Sequence, residues 1–306
     1  MPLAFNAYHT LHTSPGRRIM QFMPRANFLA GMLIMAAWLL TPFHVYGADE
    51  VENAINLARE QADSSSQQAP EEPAPKNSEA DSPGVEQAVY PGIRNCHIER
   101  GGNGEPAISI YYPEIGNDKV DEAVKKYAES VADGYQKETS ETWSEDEEKP
   151  DSFGNWEESG FFTIERPGPN VISITFNIYT YTGGAHGMVA VVVQNYDLKT
   201  GKRLDLADLF EKPEVALEIL ARISRERLRQ SLGDETVEDM LQSGTEPVAD
   251  NFLALALTPA GVTVEFQPYQ VGPWSIGQQR VEISLADLQP AGPRPFVWPA
   301  PDSLTN

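Results

Sequence analysis

The densest set of residues suited to chemistry is Tyr181-Thr182-Gly183-Gly184-Ala185-His186-Gly187, which combines three glycines with a histidine. A histidine at such a corner has three uses that its type alone leaves open. It can act as a general base, it can contact a partner, or it can pin the turn through a ring hydrogen bond. A second aromatic stretch, Tyr269–Trp274, has the same glycine- and aromatic-rich character. Exposed aromatics anchor interfaces. Tyr181, Thr182, Gly183, Gly184, His186, Gly187, Tyr269 and Trp274 are therefore expected to form one partner-binding surface.

Other chemistry finds less support. Cys96 and His97 are two potential metal ligands, but adjacent ligands without a third or fourth partner do not make a zinc site. Cys96 is the single cysteine, so no intramolecular disulfide is possible, and a packed, unpaired thiol is expected. The sequence has no Gly-x-Ser-x-Gly elbow, His-Glu-x-x-His helix, Walker loop or calcium-loop pattern. Carboxylate pairs abound among the 45 acidic residues. A glycosidase-type pair is defined by geometry and not by a linear motif, so a cell-wall hydrolase using carboxylates or His186 stays open as the alternative to a binding protein. No catalytic residue, metal site or cofactor is assigned.

The elements that must hold the first corner are legible. Ile172, Ile174, Phe176 and Ile178 alternate with Ser173, Thr175, Asn177 and Tyr179, which is a half-buried strand leading into it. Met188–Leu198 is a strand leading out, and the glycines supply the positive φ that a tight reversal needs. Phe161–Arg166 pairs with Val171–Tyr181 across Pro167–Asn170. Ala107–Tyr112 is a further strand. After an N-cap at Asn117 or Asp118, Val120, Ala123, Val124, Tyr127 and Val131 repeat at helical spacing, a helix of about five turns. Leu206–Phe210 reads as a helical turn. Pro213 opens a second helix whose buried face is Ala216, Ile219, Leu220 and Ile223. Leu253–Leu257 and Val262–Phe266 form a hairpin across Pro259-Ala260-Gly261, and Arg280–Leu285 is a last strand. The fold class is α+β: an antiparallel sheet built of hairpins with two main helices packed on it. Ser140–Ser159 is acidic and carries Trp143, Phe153 and Trp156. It is either a solvated loop whose aromatics fold back on the core or a contact surface.

Residues 1–47 have the layout of a signal peptide. Arg17, Arg18 and Arg25 precede the uncharged, largely apolar run Phe28–Leu40, and small residues follow near Gly47 and Ala48. Cleavage there is expected, with an uncleaved membrane anchor as the alternative. Residues 48–90 read as a disordered tether of Ser, Gln, Pro, Glu and Ala, 91–160 as a small N-terminal subdomain, 161–290 as the C-terminal domain, and 291–306 as a Pro-rich tail on the surface. The formal net charge is -22. Such a surface repels phosphate backbones and attracts cationic partners, so nucleic acid is excluded as a partner.

Tyr181–Gly187, then Asn195–Leu204 and Leu206–Phe210, resembles the signature of a bacterial extracytoplasmic domain. That domain occurs in the outer region of RsiV-type, lysozyme-binding anti-sigma factors and in the non-catalytic front part of PdaC-type peptidoglycan deacetylases. Ile110–Ile115 with its following helix resembles the PdaC-like companion domain that precedes it. The resemblance covers residues 95–288 and implies a PdaC-like subdomain followed by an RsiV-like outer domain. It further implies a periplasmic or extracytoplasmic envelope protein whose partner is a lysozyme-like cationic protein or peptidoglycan. Sigma-factor sensing and deacetylation are not expected to carry over, because the sequence shows neither a sigma-binding segment nor the metal-binding histidines of a catalytic domain.

Overall fold

Period-two alternation and one long amphipathic helix build the first half of the fold. Strands β1 (Arg94–Gly102), β2 (Glu105–Glu114), β3 (Glu157–Gly168), β4 (Val171–Tyr181) and β5 (Met188–Asp197) form a five-stranded sheet in that order. Ile172, Ile174, Phe176 and Ile178 of β4 are all buried, and their odd-numbered neighbours face the other side, as alternation requires. Helix α1 (Asp118–Glu141) covers the apolar face. Val120, Val124, Ala128, Ala132 and Tyr135, spaced by three and four residues, are its buried stripe. Asn117 caps its start: the side-chain oxygen accepts from the Val120 amide at 3.3 Å. The computed structural model describes residues 87–141, 149 and 152–300. The leader, residues 48–86 of the tether and Trp143 lie outside them.

Three expectations are corrected here. The sheet is mixed, not purely antiparallel, because β2 and β3 pair in parallel from Ala107↔Glu157 to Ile110↔Gly160. Two antiparallel strands need only a turn, whereas β2 and β3 are joined through α1, and a strand–helix–strand crossover returns the chain in its original direction. The surface tail is in part core: Ala291, Val297 and Trp298 are buried. Prolines mask the apolar residues between them, which still seek cover from water. Finally, the tether ends before residue 87. Past Gly160, β2 no longer pairs with β3, and residues 87–90 take its place. The Gln87 amide donates to the Phe162 carbonyl at 3.0 Å and accepts from its N–H at 2.8 Å, while Tyr90 Oη accepts from the Ile164 N–H at 3.2 Å.

The second half contains α2 (Leu206–Leu209), capped by Asp205 and Asp208 reciprocally, α3 (Pro213–Leu232), α4 (Glu238–Gly244) and a three-stranded antiparallel sheet. That sheet consists of β6 (Leu255–Thr258), β7 (Gly261–Phe266) and β8 (Gln279–Ser284), and α5 (Leu285–Leu288) follows it. The expected face of α3, from Ala216 to Ile223, shares one core with Val262, Val264, Phe266, Val281 and Ile283 of the sheet. The opposite face of this sheet turns toward the outer face of the first. Val193 meets Ala254 and Ala256. Asn195 Nδ2 donates to the Leu255 carbonyl at 2.9 Å, and the Leu257 N–H donates to Ser173 Oγ at 3.0 Å. Strands on both sides of residue 160 belong to one sheet, so the 160/161 boundary read from the sequence falls inside β3.

At the far end, residues 293–298 run across both halves. Phe210 bridges Pro293, Asn170 Nδ2 donates to the Phe296 carbonyl at 3.2 Å, and Trp298 Nε1 donates to the Thr258 carbonyl at 2.9 Å.

Candidate functional site

The turn between β4 and β5 is anchored from below. Tyr135 of α1 donates its hydroxyl to the Tyr181 carbonyl at 3.1 Å, and Tyr181 donates its own to the Gly184 carbonyl at 3.2 Å. Gly183 and Gly184 have φ values of 86° and 101°, open to glycine and strained for other residues. A Cβ on Gly183 would press on the Trp156 indole, and one on Gly187 would overlap the Tyr179 ring. Both glycines therefore allow a close approach by an aromatic. Thr182 and His186 are half-buried, and His186 Nδ1 lies 3.0 Å from the Gly187 carbonyl.

The second stretch is anchored independently. Gln267 clamps β5 by accepting from the Val191 N–H at 2.9 Å and donating to the Val191 carbonyl at 2.6 Å. Residues 267–270 form a turn closed by the Gln270 N–H on the Gln267 carbonyl, with Pro268 second and Tyr269 third at φ 68°. That third position normally wants glycine, so Tyr269 holds a left-handed conformation at a cost of roughly 1 kcal/mol. The Gln270 amide secures the loop on the Gly244 and Asn251 carbonyls at 3.1 and 3.0 Å.

These anchors bring the two corners together. The His186 and Trp274 rings stack, with centroids 3.9 Å apart and planes 19° apart. Trp274 stays 41% exposed and Tyr269 39%. Tyr269 makes no ring contact with the pair among the described residues. Of the acidic loop's aromatics, Phe153 and Trp156 are buried and pack on each other in a tilted pair, centroids 5.1 Å apart, so those two fold back on the core. Cys96 leans into the core of the first half. His97, its neighbour on β1, points the other way, where it stacks on Tyr111 at 4.2 Å and meets Ser109 Oγ at 2.9 Å.

One further group stands beneath the turn. Glu158 of β3 is 7% exposed and lies on the α1 side of the sheet. Thr180, its cross-strand partner, donates to Oε1 at 3.2 Å, while Oε2 has no hydrogen-bond partner. Burial pushes the Glu158 carboxyl up to about 8; the Thr180 hydroxyl opposes the rise and the Glu138 carboxylate adds to it. Burial also raises Glu138. With no cation in salt-bridge range among the described residues, Glu158 is held as the neutral acid at pH 7. Its bond to Thr180 ties it to the end of β4 that leads into the turn.

Comparison with known proteins fits this layout. Residues 103–189 match the family model described as Deacetylase PdaC, and residues 207–286 match that of a protein of unknown function, DUF3298. The region expected to be RsiV-like, 161–290, contains the whole DUF3298 match, but the PdaC match also runs into it, past the end of the expected 91–160 subdomain. The chain is 29% identical over 181 residues to peptidoglycan-N-acetylmuramic acid deacetylase PdaC of Bacillus subtilis (strain 168), which is 59% of this chain and 38% of that relative's length. A crystal structure of a DUF3298 family protein from Pseudomonas aeruginosa PAO1 shares the fold. Its TM-score is 0.51 at 18% identity, over 68% of this chain and 96% of that one. Another DUF3298 member, from Bacteroides fragilis NCTC 9343, gives a TM-score of 0.48 at 16% identity over 67% and 95%.

Proposed function

We propose that this chain, in which a PdaC-type domain is followed by a DUF3298 domain, is an extracytoplasmic protein of the cell envelope that binds cell-wall glycan without processing it. The observation that carries the reading is the stack of half-buried His186 on exposed Trp274. A flat aromatic pair set among turn hydroxyls and backbone amides can cover the apolar face of an N-acetylated sugar while its polar edge is hydrogen-bonded. The curated relative acts, by its name, on the N-acetylmuramic acid of peptidoglycan, which points to the same polymer. The leader-like residues 1–47 agree with an extracytoplasmic location.

A second reading takes a lysozyme-like cationic protein as the partner, and the net charge of -22 favours it. Charge-driven association fades as the Debye length falls to about 8 Å at physiological salt. The test is co-sedimentation with purified sacculi and calorimetric titration with a basic lysozyme, both at physiological salt. We expect wild type to sediment with sacculi, and Trp274→Ala to weaken that binding at least tenfold, since a central aromatic anchor contributes more than about 1.4 kcal/mol. Equal sedimentation of Trp274→Ala and wild type would discard the site. Binding to lysozyme alone would transfer the function to the second reading. Release of soluble fragments from the sacculi would make the protein a hydrolase.

A further inference from the structure

Where the two sheets face each other they leave a groove of about 370 Å³. Its walls carry Thr163, Thr175 and Asn177 from the first sheet, and Thr258, Thr263 and Glu265 from the second. Alternation puts these side chains on the inner walls: the even-numbered apolar residues of β3, β4 and β7, and the odd-numbered Leu255 and Leu257 of β6, are in the two cores. The five hydroxyl and amide side chains make no hydrogen bond within the protein among the described residues. That is unusual for Thr175 and Thr263, which are 8% and 3% exposed. Of the two lining carboxylates, Glu165 is exposed to water and Glu265 is already answered. Gln278 donates to Glu265 at 2.9 Å, and the Arg280 guanidinium lies 3.8 Å away.

We infer that this groove is a binding channel for a neutral, hydroxyl-rich saccharide chain and continues the His186–Trp274 platform. The inference rests on the glycan reading above and specifies where the chain lies. Unspent hydroxyls and an amide suit a ligand rich in hydroxyl and N-acetyl groups, which replaces groove water bond for bond. A peptide fits poorly. The groove has no apolar side-chain pocket, with Ala256 its one apolar lining residue. Strand addition needs an unpaired sheet edge, and side chains already take the backbone of Phe162 and Ile164 on β3 and of Val191 on β5. Continuity follows from β4. Tyr179 shares a face with Thr175 and Asn177, roughly 7 Å beyond Asn177 at the rise of a strand. Its ring packs where a Cβ on Gly187 would be, beside His186. Gln278, at the groove's other wall, follows Trp274 by one short turn.

The probes are β-1,4-linked N-acetylglucosamine oligomers, a dimer and a hexamer, titrated against the full chain. The hexamer should bind wild type at least tenfold more tightly than the dimer. The double variant Thr175→Val and Thr263→Val keeps side-chain shape and removes two hydroxyls. It should bring the hexamer down to the dimer's affinity and leave the dimer unchanged. Thr163→Val, at an exposed position, repeats the test without touching the core and should cost the hexamer a few-fold. Trp274→Ala should weaken both oligomers. A hexamer that binds wild type no better than the dimer, or that binds the double variant as well as wild type, overturns the channel and leaves the platform standing. If neither oligomer binds wild type, the channel and the glycan reading fail together.

Discussion

Replacing Glu158 with glutamine should stabilise the protein above about pH 8 by a few kcal/mol and change little below about pH 4. In the folded state this carboxyl titrates near 8, against 4.5 for an ordinary glutamate. Between those values the folded chain keeps a proton that the unfolded chain releases. Wild-type stability from this group is therefore fully present below about pH 4.5, falls as pH rises, and is lost once the folded carboxyl ionises. The slope is at most ~1.4 kcal/mol per pH unit, which makes ~5 kcal/mol a ceiling that water entry and side-chain relaxation will lower. Glutamine keeps the oxygen that accepts from Thr180 and carries no charge. Glu138 remains in both proteins, so the difference between them reports Glu158. Denaturant unfolding of both proteins from pH 4 to 9 is the measurement. Parallel stability curves would mean that Glu158 is solvated or paired.

The second large effect is expected at Gly244, far in sequence from either aromatic corner. A Cβ there would overlap the backbone carbonyl oxygen of Gln270. Neither side can yield cheaply. Gly244 ends α4 and is buried, and the Gln270 side chain ties its loop to the Gly244 and Asn251 carbonyls. Gly244→Ala should cost about 3 kcal/mol, the upper range for an overpacked core, because the clash is with backbone and not with a flexible side-chain end. For a folded unit of this size, that lowers the melting temperature by roughly 6–12 °C. It should also shift the loop that carries Trp274 and weaken glycan binding in the surviving folded protein. A variant that melts with wild type would show that α4 and the loop can move apart freely.

Both sites show what could be read from the sequence and what could not. The β4 strand was legible because a period-two run of large apolar residues admits one buried face. The same holds for α3, whose apolar residues recur at helical spacing. The meeting of the Tyr181–Gly187 and Tyr269–Trp274 corners was expected from their composition alone. No periodicity requires it; it depends on Gln267 clamping Val191. β1 was missed because its apolar content is thin: only Cys96 and Ile98 lean on the core. The parallel pairing of β2 and β3 is a property of chain routing, to which local patterns are blind. Glu158 was hidden in an acidic stretch read as loop, yet it falls in step with Gly160 and Phe162. Extending the strand backward at that parity would have put it on the core face. The groove hydroxyls carried no signal, since threonine on the polar face of a strand is ordinary until a second sheet is laid over it.

The crossing of residues 293–298 over both halves bears on cooperativity. Trp298 packs on Phe210, with ring centroids 5.7 Å apart, and the Val297 carbonyl and the Pro299 ring fill the space that a side chain at Gly168 would take. Val171, at the start of β4, is itself part of the core built around the second sheet. Loosening this last segment removes contacts from the β3–β4 hairpin and from the α3 side at once. Two regions that match separate families are therefore expected to share one folding transition, and heat or denaturant should unfold them as a single two-state unit.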